Sequence, residues 1–442
     1  MKRTSLLSKA NARWLIPGLS IKRWLLMMTV GMALISLGIG YVLVEFYREA
    51  SVPPIFYYLT LQFVPRVLRA LFFGGAGISL LVIGFFKFNA SLIRSMRADN
   101  QPVVDKLWQQ RIASRGPRIV AIGGGHGMAA LLKGIKHKTA NITAIVTVAD
   151  DGGSSGRLRR DFGLLPPGDF RMCISALADD ESLVSQLFQY RFGKTASGEN
   201  GLTGHSFGNL FIAAMKELTG SFERAILESS KVVAGTGRIV PSTLSDVTLC
   251  AEFRPVGDRV NAAGQLIVAP LPVHTRGESS IRDIGLPIER VWLEPNQIAA
   301  FPEATRAILN ADLVVMGPGS LFTSVMPNVL VEGIADALRE TPAKCVYVCN
   351  VATERGETDG FTVAEHVAAL ERHIGPNIVD YVIVNNRVDT GFEPPKGVTI
   401  VLPAEFVPGS TVKVVMANVV DDETPWRHDP AKLANAVIKL LS

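Results

Sequence analysis

Two apolar runs, each stopping at a cluster of glycines, constrain this chain more than any other feature. Ile119 to Ile122 runs into Gly123, Gly124, Gly125, His126 and Gly127. After a helical pattern, Ile142 to Ala149 runs into Asp150, Asp151, Gly152, Gly153, Ser154, Ser155, Gly156 and Arg157. Consecutive glycines let backbone N–H groups turn toward an anion without Cβ clashes, and a helix starting there adds the positive end of its dipole. The order strand, glycine loop, helix therefore predicts a phosphate cradle. A third such loop, Gly317, Pro318, Gly319 and Ser320, follows the apolar run from Asp312 to Met316. Ligands of open α/β sheets sit outside the carboxyl ends of the strands, so all three loops are expected to line one crevice.

From Arg118 onward strand-like runs alternate with helical ones. This predicts an α/β fold, a Rossmann-like, mostly parallel sheet with helices on both faces. Strands are expected near 118–122, 142–148, 246–252, 290–293, 312–316, 344–350 and 380–385. Helices are expected over 128–136, 181–190, 208–218, 303–309, 329–339 and 363–372, where apolar residues recur at three and four spacing. The loop from Gly193 to Gly204, rich in Gly, Ser and Thr, is expected to be a mobile lid over the cradle.

The mean hydropathy of +0.26 is high for 442 residues, and the excess is local. Leu25 to Phe46 carries only Glu45 as a charge, and its roughly 22 residues make about 33 Å of helix, against a hydrocarbon core of about 30 Å. Ala70 to Phe86 is a second uncharged stretch. Two transmembrane helices, about 25–46 and 68–87, are therefore expected within a membrane hairpin of residues 1–91, followed by a helical linker over 92–117 and a nucleotide-binding domain over 118–442. Lys and Arg crowd the outer flanks of both spans, which predicts a multi-pass cell-membrane protein with both termini and the soluble domain cytoplasmic. A cleaved signal peptide followed by a buried helix is the alternative; it lacks a small-residue cleavage pattern. The net charge of +5 is then a topology signal, and no nucleic-acid partner is expected. Cys173, Cys250, Cys345 and Cys349 complete no zinc set and read as reduced core residues.

The dinucleotide fingerprint is incomplete, because Met128 stands where its last glycine belongs. No Walker lysine is present, which argues against P-loop ATP hydrolysis. An NAD-linked enzyme stays open through Asp150, placed where a ribose-binding acid would lie. Gly204, His205, Ser206, Phe207 and Gly208 match a nucleophile elbow in letters only, since a polar loop rather than a buried strand precedes the serine. Ser206 is expected to cap a helix, and His205 either faces the crevice or is structural. Arg157, abutting the glycines, is expected to contact phosphate, whereas Arg160 reads as a solvated charge. Asp151 and Asp169 are candidate ligands for Mg²⁺. As an enzyme, the chain would use Asp151, Arg157 and His205 as catalytic groups.

GGGHGM, TVADDGGSSGRLR, PPGDFR, HSFGNL, ADLVVMGPGSLFTS, VYVCN, GETDGFT and WRHDPAKLA, in this order, resemble the YvcK family of gluconeogenesis factors, which shares a superfamily with the 2-phospho-L-lactate transferases (CofD). The likeness covers residues 118 to about 435 and leaves the expected hairpin outside. It implies a Rossmann-like domain binding UDP-N-acetylglucosamine or a related nucleotide diphosphate, and a regulatory role in carbon metabolism, cell shape and wall synthesis. The alternative it implies is an Mg²⁺-dependent phosphotransferase of the 2-phospho-L-lactate transferase type, acting on a nucleotide diphosphate donor. Carried over by motif, Gly123, Gly124, Gly125, His126, Gly127, Asp150, Asp151, Gly152, Ser154 and Arg157 would hold the diphosphate, with Gly153, Ser155 and Asn209 among the ligand-binding residues. Gly317, Pro318, Gly319 and Ser320 would hold a further part of the nucleotide, and Arg427 a C-terminal ligand contact. His126 departs from the threonine commoner in the family. The expected partners are this nucleotide ligand, the membrane, cell-envelope proteins and further copies of the chain.

Overall fold

A computed structural model describes residues 29–36, 38–40, 44, 55–59, 61, 63–95, 115–178, 183–194, 198, 201–233, 235–254, 259–260, 266–267, 273–387, 394–395, 398–402 and 411–441. The chain divides into two compact units, Met1–Gln110 and Arg111–Ser442. In the first, helices run over Thr29–Gly40, Ile55–Leu59 and Arg66–Ser95. Val67, Leu68, Leu71 and Phe72 on the last of these are exposed. Among the described residues, no single helix is long and apolar enough to cross a membrane. The two expected spans are thus not shown; much of the first, and the linker over 96–114, lie outside the described residues.

The second unit is built on a seven-stranded sheet in which every pairing is parallel. In chain order its strands are β1 (Ile119–Gly123), β2 (Ile142–Val146), β3 (Arg238–Pro241), β9 (Leu313–Met316), β10 (Lys344–Val348), β11 (Tyr381–Asn385) and β12 (Lys413–Ala417), arranged β12-β11-β10-β9-β1-β2-β3. All residues of β1 and β9 are buried, as expected of apolar strands covered on both faces. The chain winds outward from β1 through β2 to β3, then returns to the other side of β1 as β9. The strand order reverses there, and the carboxyl ends of β1 and β9 flank the crevice that such a reversal opens.

Two of the expected strands belong elsewhere. The runs near 246–252 and 290–293 form β4 (Thr248–Phe253) and β8 (Ile288–Glu294), which with β7 (Val273–Arg276) make a separate antiparallel sheet in the order β7-β4-β8. In β8 burial is interrupted rather than continuous, the mark of a strand packed on one face only. Arg259–Val260 (β5) and Leu266–Ile267 (β6) pair as a short ribbon.

The helices that matter to the crevice are α1 (Gly125–Ile135), α2 (Gly153–Phe162), α3 (Gly168–Leu177), α4 (Leu183–Gln189), α5 (Phe207–Thr219), α6 (Phe222–Val232) and α7 (Glu278–Ile284). The helix expected over 329–339 is interrupted: Leu321–Val325 forms a π-turn, α9 (Met326–Val329) follows, and α10 (Glu332–Glu340) begins after a break. Of the remaining helices, α8 is Pro302–Leu309, α11 is Val363–Ile374 and α12 is Pro430–Ile438. A Cβ on Gly134 of α1 would lie 1.9 Å from the Pro430 carbonyl oxygen, so α12 is seated directly on α1. That contact brings the chain just before α12, with Trp426 and Arg427, over the start of α1.

Candidate functional site

The loops after β1 and β9 are interlocked through glycines. Gly125 adopts φ +65° and Gly317 φ +78°, conformations that side chains other than glycine's strain to reach. A Cβ on Gly127 would fall 2.5 Å from the Pro318 carbonyl oxygen, so the first turn of α1 and the β9 loop touch backbone to backbone. Asn328 ties the arrangement down, donating from Nδ2 to the Gly123 carbonyl at 3.0 Å and to the Ser324 carbonyl at 2.8 Å.

The β9 loop is also held from the loop after β10. Gly319 N–H donates to Asn350 Oδ1 and Asn350 Nδ2 donates back to the Gly319 carbonyl, both at 3.0 Å. The Ser320 hydroxyl donates to Glu354, whose other oxygen accepts from Asn350 Nδ2 at 3.2 Å. Asn350 and Glu354 escaped the reading of the sequence. The signal was an amide at the end of a strand pattern with a carboxylate four residues on.

In front of these loops lies a cavity of about 660 Å³, within the roughly 300–1,000 Å³ range of small-molecule sites. His126, Gly127 and Gly319 form its floor. Lys133, Arg171 and Arg427 supply positive charge, and Asn350, Glu354 and Trp426 complete one side. Burial, followed by the guanidiniums of Arg427 and Arg171, lowers the pKa of His126. Burial pushes the imidazole of His428, in the same wall, down to about 4. Cationic side chains around the first turn of a helix suit an anion.

The β2 loop adjoins this cavity without lining it. Thr147 N–H bonds to the Gly123 carbonyl at 3.3 Å, which places the two loops side by side. Asp150 Oδ1 accepts from Gly152 N–H at 2.9 Å, closing a local turn. Asp151 turns away: its Oδ1 accepts from Ser279 N–H at 2.9 Å and caps α7, whose own N-cap residue, Gly277, has no side chain to do so. Ser155 Oγ accepts from Gly168 N–H at 3.1 Å, serving the start of α3. Gly152 and Gly153 start α2, which ends at Gly163 with φ +58°.

Asp169 lies against the cradle, with Oδ2 where a Cβ on Gly124 would sit, and accepts a backbone hydrogen bond from Gly125. Burial, then the nearby charge of Asp150, raises its pKa to about 7. Asp151 and Asp169 therefore have separate tasks and form no shared ligand set. Among the described residues, no group of three or more His, Cys, Asp or Glu side chains could hold a metal ion. The pair expected to hold Mg²⁺ together is thus divided between the start of α7 and the back of the cradle.

His205, Ser154, Asn209 and Arg171 form a chain of side-chain bonds leading to the cavity. Ser154 Oγ and His205 Nδ1 are 2.9 Å apart, Asn209 Nδ2 donates to Ser154 Oγ at 3.0 Å, and Arg171 Nε donates to Asn209 Oδ1 at 3.1 Å. Ser206 caps α5, as the sequence suggested, accepting from Asn209 N–H at 3.3 Å. His205 and Ser154 are buried and do not line the cavity; their bonds connect to it through Asn209 and Arg171. Arg157 is turned to the loop instead, donating from Nη2 to the Thr203 carbonyl at 2.8 Å, while Arg191 Nη1 holds the Gly204 carbonyl at 2.6 Å. The end of the expected lid is thus anchored by two arginines; residues 195–197 and 199–200 of it lie outside the described residues.

A third network joins the antiparallel sheet's helix to the β9 loop. Arg282 of α7 bonds to Glu278 at 2.8 Å, to Glu357 at 2.9 Å and to Thr323 Oγ1 at 3.1 Å. Burial raises Glu278 to about 8 and Glu357 to about 7.

The family model of 2-phospho-L-lactate transferase CofD matches residues 119–393. A gluconeogenesis factor of Bacillus subtilis (strain 168) is 42% identical over 331 residues, covering 74% of this chain and 98% of its own length. A relative from Nostoc sp. is 42% identical over 445 residues, covering 97% of this chain and 92% of its own, so that likeness reaches into the N-terminal unit. The crystal structure of a UPF0052 family member from Bacillus halodurans is similar at a TM-score of 0.64 and 39% identity, over 73% of this chain and 99% of that one.

Proposed function

Because the chain belongs to the CofD-like family of gluconeogenesis factors, we propose that its crevice binds a nucleoside diphosphate sugar, with UDP-N-acetylglucosamine the first ligand to test. The ligand would report on wall-precursor supply, and the protein would act as a regulator of carbon metabolism, cell shape and wall synthesis. One observation carries this reading: the interlocked glycine loops after β1 and β9 open onto a cavity that also holds Arg171, Arg427, Lys133 and His126. A diphosphate matches the N–H groups and guanidiniums, and Trp426 offers a flat apolar surface for a base. Calorimetric titration of the full chain with UDP-N-acetylglucosamine tests the proposal. Binding heat that is lost in Arg427→Ala supports it, and a folded chain that gives none overturns it.

The second part of the proposal is that residues 1–91 tether this domain to the cell membrane, with the crevice in the cytoplasm and envelope proteins as partners. The exposed apolar side chains of the Arg66–Ser95 helix and the Lys- and Arg-rich flanks support it. Tethering would raise the local concentration of the domain near membrane partners. The full chain should float with lipid vesicles and resist alkaline extraction; release by alkali would refute the tether.

The transferase reading has the description of the matching family model in its favour. Release of free nucleotide from a diphosphate donor on incubation with the full chain would establish it. Absence of turnover alongside tight binding would favour the sensor.

A further inference from the structure

We propose that His126 takes up a proton when an anionic ligand enters the crevice, so that ligand binding to this chain is coupled to pH. The inference rests on the anion-binding reading above and concerns the regulation of the same site.

His126 occupies the first turn of α1, one residue before the glycine that touches the β9 loop, and lines the cavity with Arg171 and Arg427. The His126 side chain is solvent-exposed at the cavity, where the partial loss of hydration and the positive charge of Arg427 and Arg171 both favour its neutral form. A diphosphate between the same cations reverses the local sign. The bound anion then favours the imidazolium, which gains a charge-assisted hydrogen bond to it. The first turn of a helix accommodates that extra cation only while an anion is present to offset it.

The other charged groups around the cavity define the controls. Lys133 comes from the same helix, Arg171 from α3, Glu354 from the loop after β10, and Asp421, Arg427 and His428 from the C-terminal segment. The β9 loop contributes only Gly319 to the wall. His428 titrates at about 4 and stays neutral near pH 7. Asp169, behind Gly124, titrates at about 7, and Glu278 at about 8. Asp169, Glu278 and Glu357 are thus the competing sites of proton uptake.

The sign is fixed by linkage. A group whose pKa is higher in the complex than in the free protein makes affinity fall as pH rises between the two values, by at most about tenfold per pH unit for one proton. For His126 that window opens below the ordinary imidazole pKa, and its upper end is the pKa of the imidazole in the complex.

The experiment is calorimetry of the full chain with UDP-N-acetylglucosamine as the probe, in two buffers of different ionisation enthalpy, from about pH 6 to about pH 8. We expect uptake of a fraction of a proton approaching one, with affinity falling as pH rises. In His126→Gln we expect weaker binding at the acid end, a flat pH profile and the same heat in both buffers. Binding by the native chain with equal heats in both buffers overturns the proposal alone. So does uptake that persists undiminished in His126→Gln, whichever carboxyl supplies it. No binding of the probe by the folded native chain overturns the reading of the crevice and this inference with it.

Discussion

Asn350 and Gly319 exchange two hydrogen bonds of 3.0 Å each, the amide side chain pairing with a glycine backbone as a neighbouring strand would. The pairing holds the β9 loop open toward the cavity, and Asn350 itself forms part of the wall. Asn350→Ala removes both bonds at a net cost of about 0.5–1.5 kcal/mol each. We expect about tenfold or greater loss of affinity for UDP-N-acetylglucosamine by calorimetry, with a smaller fall in melting temperature than a core truncation would give.

Gly127 and Gly152 make a matched pair of tests. A Cβ at Gly127 meets the Pro318 carbonyl at 2.5 Å, whereas one at Gly152 meets only the Asp150 carboxylate at 3.4 Å. Gly127→Ala should cost about 1–3 kcal/mol in chemical denaturation, as overpacking does. Gly152→Ala should stay within about 0.5 kcal/mol of the native chain.

Asp151, expected at the catalytic and metal centre, accepts the Ser279 N–H through Oδ1 and so has a structural task. Asp151→Ala should lower stability by about 1 kcal/mol, the usual loss for a helix cap. Asp151→Asn, which keeps an acceptor oxygen, should recover most of that. Binding of UDP-N-acetylglucosamine should survive in both. Its selective loss in Asp151→Asn would return the residue to the ligand.

Asp169 sets a pH signature. Its pKa is raised to about 7 in the folded chain, above the unfolded carboxyl value of about 3.9. A raised carboxyl binds its proton more tightly when folded, so its favourable contribution is complete at acid pH and is lost as pH rises through about 7. Asn at this position cannot ionise. Asp169→Asn should therefore gain stability relative to the native chain at pH 8 and gain less, or lose, at pH 5, measured by urea unfolding. Equal differences at the two pH values would count against a raised Asp169.

The central strands and the three glycine loops were legible because continuous apolar runs ending in glycine have few other readings. Other elements hid for physical reasons. The helix over Gly153–Phe162 opens with Gly, Ser, Ser and Gly, poor helix formers, and is stabilised by tertiary contacts: Ser154 with Asn209, Ser155 with Gly168. The strand Arg238–Pro241 has four residues and ends in proline, and Lys413–Ala417 is an edge strand with exposed positions. The convergence of the β1 and β9 loops followed from strand order. The placement of Asp151, and the contribution of Asn350 and Glu354, did not, because hydrogen bonds across 128 and 31 residues leave no local pattern to read.

The partnership of β1 with β9 also dictates a timetable for biosynthesis. Arg118, beside the first residue of β1, bonds to Asp312 across 194 residues, so one edge of the central strand waits for most of the domain to leave the ribosome. Its other edge pairs with β2 only 23 residues on (Ile119 with Ile142), whereas pairings of long separation form slowly. The crevice lies where the two ends of the sheet's winding meet, so its floor is complete only after strands far apart along the chain have paired.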